Sequence, residues 1–143
     1  MLTVGIVGLG LIGGSAAKAY KAAGDMRVLA HDTDRTVLDY AVLSGVADGE
    51  LSLENIDECG LVILATYPAP AEEYLEAAAR HIAPGAVVID FLGVKRGICE
   101  KGFALAKKYG FTFVGGHPMA GSHNAGFKFS SPTLFSGAHM VIV

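Results

Sequence analysis

The sequence predicts an α/β domain built as a doubly wound, mostly parallel sheet with helices on both faces. Three observations carry that reading. Short apolar and β-branched runs alternate with stretches of helical character. The connections between them are short, as right-handed βαβ units require. The clearest run, Leu61-Val62-Ile63-Leu64-Ala65-Thr66, is apolar without alternation, the pattern of a strand buried on both faces.

Taken in order, Leu2-Thr3-Val4-Gly5-Ile6-Val7 is a first strand ended by Gly8, and residues 12–23 form a helix rich in small side chains with Gly24 at its C-cap. Residues 27–31 are the second strand, residues 34–43 a helix, and residues 45–50 a turn with a minimal strand at Val46-Ala47. After the 61–66 strand, Pro68 and Pro70 mark a turn and residues 71–82 are helical. Residues 86–90 are a strand, residues 95–109 a helix ended by Gly110, and residues 111–114 another strand. A loop rich in Gly, His and Ser covers about residues 115–132, and residues 139–143 make a last strand. The chain stops within that apolar strand, which reads as a cut at a domain boundary.

With 143 residues there is room for one domain with a sizeable core. A hydrophobic share of 52% against 17% charged excludes disorder. A net charge of -3 and the lack of any basic run give no electrostatic case for nucleic acid. Cys59 and Cys99 are far apart with no C-x-x-C spacing, so neither a disulfide framework nor a metal site is expected, and the reducing cytoplasm is the expected compartment. The first basic side chain is Lys18, after the apolar N-terminus, which is the wrong order for a signal peptide. No apolar stretch reaches the ~18–20 residues that span a bilayer, so no membrane partner is expected.

Gly8-Leu9-Gly10-Leu11-Ile12-Gly13 is a G-x-G-x-x-G string placed between the first strand and the first helix. In that setting each glycine has work to do: Gly8 turns the chain out of the strand, Gly10 lets backbone approach a pyrophosphate, and Gly13 lets the helix pack on the sheet. The helix N-terminus at Leu11 and Ile12 offers free N–H groups and a positive dipole end to phosphates. Asp32 ends the second strand, where a carboxylate accepts hydrogen bonds from the adenosine ribose hydroxyls of NAD. Asp32 and Asp34 disfavour the extra phosphate of NADP, although Arg35 could accommodate it; NAD is the expected cofactor. Otherwise Asp32 would only cap the next helix. The fold expected is therefore a Rossmann-type nucleotide-binding domain over residues 1–143, and a flavin would use the same fingerprint.

Parallel sheets bind ligands outside the carboxyl ends of their strands. Thr66-Tyr67-Pro68, the segment from Asp90 through Gly93 to Lys95, and Gly115-Gly116-His117-Pro118 all reach that edge. Thr66, Tyr67, Pro68 and Asp90 are assigned to the cofactor side, and Gly93, Lys95 and Ser122 to the substrate side. His117 is the candidate catalytic group, since an imidazole exchanges protons near neutral pH; a hydrogen-bonded structural histidine is the alternative. His31, His81 and His139 read as structural or surface residues.

Gly8 to Ser15, then Asp90 to Lys95, then His117-Pro118-Met119-Ala120-Gly121-Ser122 with Gly126 and Leu134-Phe135, resemble the prephenate dehydrogenase family along the whole chain. The resemblance implies oxidative decarboxylation of prephenate to 4-hydroxyphenylpyruvate in tyrosine biosynthesis, hydride passing to the nicotinamide and His117 accepting the hydroxyl proton. It implies a helical C-terminal domain, beyond this chain, that makes a homodimer and contributes to substrate binding. One position departs: where the family commonly has a Ser that helps orient the histidine, this chain has Gly93. That points to slower chemistry, a water in place of the hydroxyl, or arogenate as substrate. Lys95 is retained and has either a functional or a local pairing role. Dehydrogenases of the 3-hydroxyacid or 6-phosphogluconate type and imine reductases share the glycine fingerprint with other substrate loops, and a non-catalytic NAD sensor is the remaining reading.

Overall fold

The computed structural model describes residues 1–121 and 124–143. Its elements are β1 (Leu2–Val7), α1 (Leu11–Ala23), β2 (Met26–His31), α2 (Arg35–Leu43), β3 (Gly49–Glu50), β4 (Leu61–Leu64), α3 (Pro68–Ala78), β5 (Val87–Asp90), α4 (Arg96–Tyr109), β6 (Thr112–Pro118) and β7 (Met140–Ile142). The strands form one sheet in the order β3-β2-β1-β4-β5-β6-β7. β1 to β6 pair in parallel, and β7 runs antiparallel to β6. The chain winds outward from β1 to β3, then returns to the other side of β1 with β4. That reversal opens a crevice at the carboxyl ends of β1 and β4.

Alternation along the buried strands divides the core in two. Val62 and Leu64 join Leu29 and Val88 against Leu75, Ala78, Ile98 and Ala106 of α3 and α4. Ile63 points the other way, with Val4, Ile6 and Val28, against Ala16 and Ala17 of α1 and Leu38 and Ala41 of α2. Each fully buried Val, Leu or Ile contributes about 1.5–3 kcal/mol of transfer free energy, so these runs form strands because both of their faces are covered. Cys59 and Cys99 are buried free thiols in the first of these clusters. Burial, with Glu58 nearby, pushes the Cys59 thiol up to about 11, far from a reactive thiolate. Among the described residues no helix is long and apolar enough to cross a membrane.

Several boundaries differ from the sequence expectation. The minimal third strand lies at Gly49–Glu50 rather than 46–47, because Ala47 N–H is taken by Ala41 O (3.0 Å) and the ladder to Leu29 begins only at Gly49. α3 begins at Pro68, not 71: proline at the first helical position keeps its fixed φ and needs no N–H partner. The helix at 95–109 starts one residue later, at Arg96. β6 runs on through His117 and Pro118, where a loop was expected, since β7 supplies an antiparallel partner for Gly116, His117 and Pro118.

Candidate functional site

At the end of β1 the backbone of Gly8 has φ +97°, and a side chain there would meet Ala65 O at 2.6 Å. A Cβ on Gly13 would lie 1.7 Å from Gly8 O, so glycine is what allows α1 to start directly against the strand end. Gly10 is different. Its φ of -76° suits any residue, and a Cβ there would meet nothing within 4 Å. No internal contact demands glycine at that position; what it leaves is open space facing the crevice. Gly10 is also the N-cap of α1, with no side-chain cap and no acidic residue in the first turn. The first-turn N–H groups and the positive end of a 13-residue helix are thus left for an anion from outside.

Asp32 ties this turn to β2. One carboxylate oxygen accepts from Leu9 N (2.7 Å) and the other from Asp34 N (2.8 Å), each oxygen keeping further acceptor capacity. The cap of α2 is Asp34, accepting from Thr36 N at 3.1 Å and Val37 N at 3.3 Å, so Asp32 is not the helix cap. Arg35 is engaged by Glu50 (2.9 Å) and Asp39 (3.3 Å). The Glu50 hydrogen bond is the main reason its guanidinium is held more firmly protonated than usual.

A cavity of about 990 Å³ fills the crevice, and it brings together Gly8, Gly10, Leu11, Ile12, Asp32, Thr66, Tyr67, Pro68 and Gly93 of the residues singled out from the sequence. Its size is at the upper end of ordinary small-molecule sites. The sequence reading missed part of the wall. His31, taken as structural or surface, lines the cavity beside Asp32 and packs on Tyr74 with ring centroids 5.2 Å apart. Tyr74 comes from α3, whose early start at Pro68 was not foreseen. Its buried hydroxyl has no hydrogen-bond partner among the described residues, and burial, with Cys59 nearby, pushes its pKa up. Phe91 also lines the cavity, backed edge-on by Phe135 at 6.1 Å. Position was the available signal, since His31 adjoins Asp32 and Tyr74 falls one helical turn after Pro70.

Asp90 and Lys95 do not belong to the wall. Asp90 is fully buried; one oxygen accepts from Leu92 N (3.1 Å) and from the Lys95 ammonium, and the other has no partner among the described residues. Lys95 Nζ also donates to Gly116 O, which links the ends of β5 and β6. The carboxylate of Asp90 and the ammonium of Lys95 therefore neutralise one another at the end of β5, and breaking such a buried pair costs more than either charge alone would gain. The residue after Gly116 is His117, half-buried near the end of β6. A Cβ built on Gly93 would lie 3.7 Å from His117 Nε2, so the imidazole is within contact of that position, although His117 is not itself among the residues that line the cavity. Ser122 falls outside the described residues.

Residues 16–143 match the family described as prephenate dehydrogenase, nucleotide-binding domain. A prephenate dehydrogenase of Lactococcus lactis subsp. cremoris is 33% identical over 140 residues, which is 96% of this chain and 39% of that protein. The crystal structure of Synechocystis arogenate dehydrogenase superposes with a TM-score of 0.89 at 29% identity, over 99% of this chain and 50% of the other. That of prephenate dehydrogenase from Aquifex aeolicus, in complex with hydroxyphenyl propionate and NAD+, superposes with a TM-score of 0.80 at 27% identity, over 100% of this chain and 50% of the other. The chain thus spans half or less of the length of these proteins. With a family match over residues 16–143 and a relative one-third identical along nearly all of it, the chain belongs to the prephenate dehydrogenase family.

Proposed function

We propose that this chain is the NAD-binding half of an oxidoreductase that converts prephenate to 4-hydroxyphenylpyruvate and carbon dioxide in tyrosine biosynthesis. The observation that carries the reading is that His117 Nε2 lies 3.7 Å from a Cβ built on Gly93, which lines a cavity reaching the uncapped N-terminus of α1. The residues fit the cofactor. Gly8 makes the turn and Gly10 leaves room for a pyrophosphate, the first-turn N–H groups of Leu11 and Ile12 meet its charge, and Asp32 retains acceptor capacity for ribose hydroxyls. Asp32 repels a 2′-phosphate while Arg35 is occupied by Glu50 and Asp39, which favours NAD over NADP. When bound, NAD supplies the hydride acceptor. His117 accepts the proton of the ring hydroxyl as hydride leaves that carbon, and the proton returns to the ring oxygen as the carboxylate departs and the ring becomes aromatic. Lys95, through Gly116 O, fixes the strand end that presents His117. Thr66, Tyr67 and Pro68 shape the cofactor side and Ser122 the substrate side.

The complete protein works as a cytoplasmic homodimer through a helical domain beyond residue 143. Gly93, which offers His117 no hydroxyl, and the likeness to an arogenate dehydrogenase make arogenate the second reading. Both are tested by following NADH formation by the complete reading frame with each substrate, beside His117→Ala. Turnover that falls by about 10²–10⁴ in the variant is expected for loss of a general base. Equal rates in both proteins would overturn the role of His117, and no turnover on either substrate would overturn the function.

A further inference from the structure

The glycine fingerprint accounts for Gly8, Gly10 and Gly13, but not for the small residues that follow. α1 buries Gly13, Gly14, Ser15, Ala16 and Ala17 in succession. A helix lying on a sheet buries one stripe, so consecutive burial requires a second cover on its outer side. That cover is the segment from Phe127 to Ser131. A Cβ on Gly14 would meet Phe127 Cδ2 at 2.8 Å and Ser130 Oγ at 2.9 Å, so the glycine admits this segment rather than a phosphate. The fully buried Ser15 hydroxyl accepts from Ser131 N at 3.0 Å. Lys18 donates to Ser130 O at 3.0 Å and lies 4.7 Å over the Phe127 ring. The segment follows directly on Asn124, Ala125 and Gly126, which line the cavity together with Gly93, a neighbour of His117. None of Gly14, Ser15 and Lys18 lines the cavity themselves.

We propose that Ser15 and Lys18 are positioning residues for the substrate side: by clasping the Phe127–Ser131 segment onto α1, they hold residues 124–126 as a wall of the cavity that Gly93 also lines. The cofactor helix and this wall then move as one unit. Gly14 is the opening that lets the clasp close. The proposal rests on the functional reading above for the identity of the substrate, but the clasp is testable without it.

The test uses the complete protein with Ser15→Ala, Lys18→Met and Lys18→Arg. Three quantities are read: NAD+ affinity, KM and kcat for whichever of prephenate or arogenate the unaltered protein oxidises, and amide hydrogen exchange across residues 124–131. One buried hydrogen bond lost corresponds to about a fivefold effect. Ser15→Ala and Lys18→Met are expected to raise substrate KM by about that factor with a smaller change in kcat. NAD+ affinity should stay within about twofold, and exchange at 124–131 should quicken by about the same fivefold, while β1 exchanges as before. Lys18→Arg keeps both the donor and the cation over Phe127, and should restore KM and exchange. Unchanged exchange in both deletion variants would overturn the proposal, as would Lys18→Arg behaving like Lys18→Met, or NAD+ affinity falling by the same factor as KM rises. If the unaltered protein oxidises neither substrate, the functional reading fails alone; faster exchange at 124–131 with intact NAD+ affinity would still uphold the clasp.

Discussion

Gly93 is the residue whose meaning changes most between sequence and structure. As a departure from the family pattern it reads as a lost hydroxyl; in the fold its Cβ direction points at His117 Nε2 from an ordinary contact distance of 3.7 Å. A serine therefore fits there without displacing the ring. Gly93→Ser is expected to leave the melting temperature within about 2 °C and to raise kcat of the complete protein by fixing the imidazole; a lower kcat at unchanged stability would contradict the orientation argument. Asp32 carries a second residue-scale expectation. Its two oxygens already hold Leu9 N and Asp34 N, so Asp32→Ala loosens the glycine turn for any dinucleotide and also removes a charge that only NADP would resist. NAD+ affinity should fall by about tenfold or more and NADP+ affinity by less. Equal losses, measured by titration, would show that Asp32 serves the turn alone. The sequence could locate both residues because a fingerprint and a motif are local patterns. It could not show which atoms they face.

At the scale of elements, the strands and the first helix were legible because their signals are periodic and local: apolar runs for β1, β4 and β5, and glycines at fixed offsets for the turn into α1. What escaped was non-local. The loop reading of residues 115–118 failed because a strand some twenty residues later pairs with them, and Val141 opposite His117 is the evidence of that pairing. Asp90 and Lys95 lie at the end of β5, and sequence spacing does not reveal that they pair with one another. That pair joins β5 to β6 where His117 is presented, so it belongs to the element scale. Lys95→Met leaves the fully buried Asp90 carboxylate without its counter-charge, a loss of about 3–5 kcal/mol that denaturant unfolding of the chain would read. A loss under about 1 kcal/mol, the range of a surface pair, would show that Asp90 finds another partner.

For the whole molecule, the strand order places the nucleotide crevice between β1 and β4 and the histidine-bearing β6 on the side reached after the chain reverses direction. This arrangement was legible in outline, since strand–helix alternation constrains the connections to right-handed crossovers. The antiparallel β7 was not, because a short apolar strand carries no mark of its direction. The proposed function assigns this chain the cofactor and leaves substrate binding to be shared with a further domain. Residues 1–143 alone are therefore expected to bind NAD+ and to form little NADH from prephenate.

The measurement that tests this most directly is calorimetric titration of NAD+ into residues 1–143, beside Gly10→Val. Nothing within 4 Å meets a Cβ at Gly10, and its backbone angles suit other residues, so the variant should melt within about 2 °C of the original. The expected result is NAD+ binding by the chain that drops by at least about tenfold in the variant, because the added side chain occupies the space reserved for the pyrophosphate. Equal NAD+ binding by both proteins, or none by the original, would contradict the claim that the Gly8–Gly13 turn is the dinucleotide site.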